Sequence, residues 1–182
     1  MAISKKNLPL ALVTGAGIGI GEATALTLGK LGYRVIVTDI LEKEGKAVAR
    51  KINRSGAADF YYMDVSDTDN VNSVVADVEK KYKKPLHVII NNAGIAKTMP
   101  LRGMKDRDWD WIHEVDLKGM MRVCRAAAPK MRKAKKGSIV CLSSIAGYTV
   151  GWDKHIPYSA AKAGIAGFTK ALAVELAADK IR

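Results

Sequence analysis

Short apolar runs alternate with amphipathic stretches along the whole chain, and that alternation leaves few folds open. Leu8 to Thr14, Tyr33 to Asp39, Asp59 to Asp64, Leu86 to Asn91 and Gly137 to Ser144 read as strands. Residues 19–31, 42–54, 67–82, 106–135 and 157–178 read as helices, each long enough to cross over between parallel strands. The expectation is an α/β fold, one domain over residues 1–182, on a doubly wound parallel sheet covered on both faces. No repeat, linker or low-complexity tract interrupts the pattern, and Pro100 and Gly103 mark only a loop after the fourth strand. The last helix has no strand after it to pack against, so the chain reads as ending before its C-terminal strands.

Composition narrows the class. A chain of 182 residues with 48% hydrophobic content can bury a substantial core. Cys124 and Cys141 lie in apolar segments without CxxC spacing or paired histidines. Buried reduced thiols are therefore favoured over a disulfide or a metal site, which suits the cytoplasm. Met1 to Leu12 has a basic start, but its apolar part is short and runs into the first strand, unlike a cleaved signal peptide. No segment approaches membrane-spanning length, and no membrane partner is expected. The net charge of +12 is concentrated at 118–136, where Lys118, Arg122, Arg125, Lys130, Arg132, Lys133, Lys135 and Lys136 occur without an acid. Such a run either complements the C-terminal dipole of a solvated helix or meets an acidic partner. It lacks interleaved aromatic residues and any nucleic-acid-binding motif, so nucleic acid is not expected.

The chemistry-bearing residues fall at the strand ends. Thr14-Gly15-Ala16-Gly17-Ile18-Gly19-Ile20-Gly21 joins the first strand to the first helix, where backbone amides and the helix dipole favour a pyrophosphate. Asp39 ends the second strand, in place to accept hydrogen bonds from an adenosine ribose diol and to repel a 2′-phosphate. Ala16 and Ile40 offer no cation for such a phosphate, and Lys43 belongs to the exposed face of the next helix, so NAD is expected over NADP. Tyr158 and Lys162 are four residues apart on one helix face, close enough for the ammonium to favour the phenolate. Taken alone, that pair also suits an amphipathic helix with a snorkelling lysine.

The glycine turn, Asn91-Asn92-Ala93-Gly94, Ser144, and Tyr158 with Lys162 together resemble the short-chain dehydrogenase/reductase family across essentially the whole chain. The resemblance implies a Rossmann-like fold and a cofactor site at Gly15, Gly17, Ile18, Gly19, Ile20, Gly21 and Asp39. Asp64 and Val65 would flank the adenine, Asn91, Ala93 and Gly94 would help fix the cofactor ribose, and Lys162, beside Tyr158, would bind the nicotinamide ribose. Tyr158 would exchange a proton with the substrate oxygen, Lys162 would stabilise tyrosinate, and Ser144 rather than Ser143 would polarise the carbonyl. One departure is Val115-Asp116-Leu117-Lys118-Gly119, where the family usually has asparagine at the position of Asp116. The family residue acts through its main-chain carbonyl, which Asp116 retains, while its added carboxylate can alter the field at Lys162.

Trp109 matches a family tryptophan and is expected in the core. Trp152 and His155 fall where a substrate pocket would be, and His87 and His113 read as structural. No histidine and carboxylate spacing suggests a metal. The resulting expectation is an NAD-dependent oxidoreductase acting on a small-molecule secondary alcohol or its ketone, as a homodimer or homotetramer. A 3-oxoacyl-[acyl-carrier-protein] reductase, which would suit the basic run, and a dinucleotide-binding protein without turnover are the alternatives.

Overall fold

In the computed structural model, which describes residues 7–182, strand β1 (Leu10–Thr14) occupies the middle of the sheet with all five residues buried. The basic start at residues 1–6 lies outside the described residues. The strands β2 (Arg34–Asp39), β3 (Ala57–Tyr62), β4 (Val88–Asn91) and β5 (Ser138–Cys141) complete a five-stranded sheet in the order β3-β2-β1-β4-β5. Every pairing is parallel, as the crossover helices require. The chain builds outward from β1 in one direction through β3, then returns to β4 on its other side. That reversal opens a crevice at the C-terminal ends of β1 and β4.

Strand alternation sends side chains to both faces. Leu10, Leu12, Ile36 and Ile89 pack with Val71, Val74, Val78, Val123, Ala127 and Met131, from α3 (Thr68–Tyr82) and α5 (Gly119–Ala134). On the other face Val13, Val35, Val37 and Ile90 meet Ala25, Val48, Ala49 and Ile52, from α1 (Gly19–Lys30) and α2 (Glu42–Asn53). A smaller cluster of Met99, Ile112 and Ala161, with Tyr158 packed against it, joins α4 (Asp106–His113) to α6 (Ile156–Leu176).

Two differences from the sequence reading bear on the site. The single helix expected over 106–135 is α4, a π-helical turn at Glu114–Lys118, and α5. A π turn inserts a residue into the helical repeat and rotates the next turns of helix about the axis, and here it places Asp116 inside the protein. The chain after α6 also finds a partner. Arg182 N donates to Gly137 O at 3.2 Å and Ile139 N donates to Arg182 O at 2.8 Å, beginning a parallel pairing on the outer edge of β5.

Thr14 and Asn92 hold the crevice open at the right place. The Thr14 hydroxyl accepts from the amides of Asn92 and Ala93, each at 3.0 Å, while Asn92 Nδ2 donates to Thr14 O and Gly15 O, each at 2.9 Å. Gly15, at φ +60°, is pressed so closely on Ala93 that a Cβ would stand 2.9 Å from its Cα. Replacing Thr14 by Val preserves shape and removes the acceptor. Thr14→Val should therefore lower stability by about 1–3 kcal/mol in chemical denaturation, with Thr14→Ser close to native. A fully native Thr14→Val would show that these amides do not depend on the hydroxyl.

Candidate active site

The glycine turn forms the floor of the crevice. Helix α1 begins after Ile18 with no side chain capping its first amides, so those donors face the opening. A Cβ on Gly21 would stand 2.0 Å from Gly15 O, so this turn of backbone closes only with glycine there. Asp39 is buried, and its carboxylate accepts from Gly17 N at 2.7 Å and Leu41 N at 2.9 Å. It thus fixes the glycine turn while keeping further acceptor lone pairs.

The open cleft above this floor has a volume of about 510 Å³. Gly15, Ile18, Ile20, Asp39, Asp64, Val65, Ala93 and Gly94, all expected from the sequence, line it. Asp64 Oδ1 accepts from Ser66 N at 2.8 Å and from its hydroxyl at 2.6 Å, shaping the wall beside Val65. Gly17, Gly19 and Gly21 shape the turn beneath. Asn91 points elsewhere: buried, its Nδ2 donates toward Cys124 Sγ at 3.3 Å and Cys141 Sγ at 3.8 Å. Both thiols are free, and hydrogen bonding with Cys141, together with burial, pushes the Cys124 thiol up. Asn92 and Trp111, which sequence reasoning did not single out, line the cleft instead. Strand alternation carries the signal for Asn92, because only one of two successive asparagines can face the glycine turn.

Beyond Gly94 lies the ionisable cluster. Lys162 Nζ sits 3.3 Å from Asp116 Oδ2, with side-chain exposures of 6% and 0%, and donates to Leu142 O at 3.1 Å. Asp116 Oδ1 accepts from Ile95 N at 2.7 Å, whereas Oδ2 has the ion contact without a well-directed hydrogen bond. A Cβ on Gly94 would come within 3.0 Å of Asp116 Oδ2 and 3.1 Å of Lys162 Nζ, so glycine lets the cleft wall reach this pair. The ammonium also lies 5.6 Å from the centre of the Tyr158 ring. Ser143 Oγ donates to Lys162 O at 2.6 Å and is committed to holding α6. Ser144 Oγ accepts from Ala146 N at 3.2 Å, capping the 3₁₀ turn Ile145–Gly147, which leaves its O–H as a donor.

Several expectations shift. Trp109 is 39% exposed and stacks on His113 at 4.3 Å, because its helix turns Ile112 inward instead. The basic run is largely compensated. Lys118 and Arg122 pair with Glu114, Lys130 with Glu79, Arg132 with Glu175 and Asp179, and Lys135 with Asp179. Among the described residues Arg125, Lys133 and Lys136 stand outside these ion pairs. No group of metal-ligating side chains occurs among the described residues, and no helix there is long and apolar enough to cross a membrane.

The fold and cleft define a Rossmann-type nucleotide-binding protein. The chain belongs to the short-chain dehydrogenase family, whose model matches residues 9–182, and so to the oxidoreductases. It is 40% identical over 172 residues to the 3-oxoacyl-[acyl-carrier-protein] reductase FabG of Thermotoga maritima, covering 94% of this chain and 69% of that protein. The Escherichia coli FabG is 36% identical over 172 residues, with the same coverage. A metagenomic short-chain oxidoreductase solved in complex with NADP superposes with a TM-score of 0.91 at 35% identity, over 98% of this chain and 80% of that one.

Burial pushes the Asp116 carboxyl above the ordinary carboxylate value, while the Lys162 charge and the Ile95 amide pull it back. Its proton is therefore held more tightly in the folded state. The associated stabilisation is complete below the ordinary carboxylate range and is lost as pH rises through the raised value. Asp116→Asn removes that loss, so the melting temperature of the variant minus that of the native protein should grow from about pH 4 to about pH 7. A difference that shrinks over this range would contradict the assignment.

Proposed function

We propose that the chain is an NAD(H)-dependent oxidoreductase that interconverts a secondary alcohol and its ketone, with Ser144, Tyr158 and Lys162 at the reacting end of the cleft. The observation that carries the reaction is the buried Lys162 ammonium, which lies directly behind Gly94 of the cleft wall and beside the Tyr158 ring. The residues present suit a dinucleotide. The uncapped start of α1 and the glycine turn would hold the pyrophosphate, Asp39 the adenosine ribose, and Asp64 and Val65 the adenine. Ala93, Gly94, Tyr158 and Lys162 would hold the nicotinamide ribose, with Asn91 buttressing that wall from behind.

When bound, the nicotinamide supplies or accepts the hydride. Ser144 would donate its O–H to the substrate oxygen and orient the carbonyl. Tyr158 would hold the proton that moves, giving it to the substrate oxygen in reduction and taking it from the alcohol in oxidation. Lys162 would stabilise the tyrosinate left behind until solvent returns the proton. Asp116 would act through Lys162.

The preference for NAD rests on the lining of the cleft, which among the described residues includes Asp39 and Asp64 but no lysine or arginine. A 2′-phosphate would find a carboxylate and no cation there. The FabG relatives favour a second reading, reduction of a 3-oxoacyl group on acyl carrier protein. The ion pairs that Lys130, Arg132 and Lys135 make with Glu79, Glu175 and Asp179 weigh against that run as the surface for an acidic partner.

NADH should bind at least tenfold more tightly than NADPH in fluorescence titrations, a ratio equivalent to about 1.4 kcal/mol. Equal affinities or a preference for NADPH would contradict the assignment of Asp39. In the same protein Tyr158→Phe should reduce turnover by about a hundredfold or more with NADH affinity unchanged. Retention of a tenth of native turnover would remove Tyr158 as the proton donor.

A further inference from the structure

The residues joining β5 to α6 hold a feature that neither proton transfer nor dinucleotide binding uses. Trp152 stacks on His155 with ring centres 3.8 Å apart and planes 6° from parallel. Its indole also meets the Tyr158 ring edge-on, at 5.6 Å and 82°. Yet Trp152 remains 48% exposed. A tryptophan packed on two sides and open on the third presents one apolar surface, next to the side chain that would hold the substrate oxygen.

The loop is built to keep it there. His155 is buried, its Nδ1 is 2.7 Å from Asp153 O, and its amide donates to Trp152 O at 3.1 Å. Lys154 adopts φ +55°, an unfavourable conformation for a residue with a side chain, and Met99 N bonds its carbonyl at 2.6 Å. That bond ties the loop after β4 to the loop after β5. The neighbouring surface is apolar as well: Ile145 is 72% and Tyr148 68% exposed, in a turn where the amides of Tyr148, Thr149 and Val150 all bond Ile145 O. No charged residue occurs from Ile145 to Trp152, and the flanking Asp153 and Lys154 pair with each other.

We propose that Trp152 is a specificity-determining residue whose exposed indole surface selects ketones bearing an aromatic substituent on the carbonyl carbon, and the matching secondary alcohols. This rests on the reading of Tyr158 as the proton donor. A carbonyl oxygen on Tyr158 brings its substituents within reach of the Trp152 ring, where an aryl group gains ring contact and leaves water. A small aliphatic group cannot fill that surface, and an anionic one finds no unpaired cation between Ile145 and Lys154.

The test compares acetophenone with butan-2-one, using NADH, in the native protein, Trp152→Ala and Trp152→Phe. The native ratio of kcat/KM for acetophenone over butan-2-one should exceed ten, fall at least tenfold in Trp152→Ala, and be largely restored in Trp152→Phe. Using a ratio cancels any general loss of activity. A native ratio near one, or a ratio unchanged in Trp152→Ala, would overturn the proposal and leave the oxidoreductase reading standing. If NADH is consumed with neither ketone, the reaction reading fails. The site is then read by ligand-detected NMR with 1-phenylethanol, where binding at least fivefold weaker in Trp152→Ala supports it and equal or absent binding overturns it.

Discussion

One threonine hydroxyl and one asparagine amide hold together the place where this sheet reverses direction. Thr14 ends β1 and Asn92 follows β4, and their side chains exchange four hydrogen bonds with the backbone across the gap between the two strands. The glycine turn is thereby pinned against Ala93, with no room for a Cβ on Gly15 or Gly21. Burial of the β1 side chains on both faces supplies the driving force, but it is non-directional and does not set this geometry. The directional bonds do so. They decide that the first amides of α1 and the Asp39 carboxylate face one crevice.

The buried cluster behind Gly94 depends on a second directional device. The π turn at Glu114–Lys118 brings Asp116 inward, where it grips both the Ile95 amide and the Lys162 ammonium. The loop after β4, the segment after β5, the π turn and α6 thus converge on one buried ion pair. Ser143 fastens α6 by its hydroxyl, whereas the Ser144 hydroxyl accepts only the Ala146 amide and keeps its O–H as a donor. A lysine and carboxylate buried together cost desolvation on both partners, so the arrangement is better explained by placement of charge than by stability.

The order of strands and helices was legible because apolar alternation records which side chains meet the core, and those constraints are local. The strand bounds differed by a few residues, and the helix expected over 106–135 hid a π turn that depends on what Asp116 can reach once folded. The placement of the glycine turn and Asp39 at the strand ends, and of Tyr158 and Lys162 on one face of a helix, was legible from residue type and spacing. Three features were not. Asn91 and Asn92 differ only in the face they occupy, Trp109 could not be assigned to core or surface by its type, and the pairing of the basic run depends on acids such as Glu79 and Glu175 that are distant in sequence.

In the proposed reaction the cleft presents a hydride donor to a carbonyl held by Tyr158. Incubating the protein, in separate reactions, with NADH deuterated on either face of C4, together with a ketone, and analysing the alcohol by mass spectrometry tests it directly. Protein-dependent transfer of deuterium to the carbinol carbon is expected from one face only, abolished by Tyr158→Phe. Saturable binding of NADH with no deuterium in the alcohol, across aryl and aliphatic ketones alike, would contradict it.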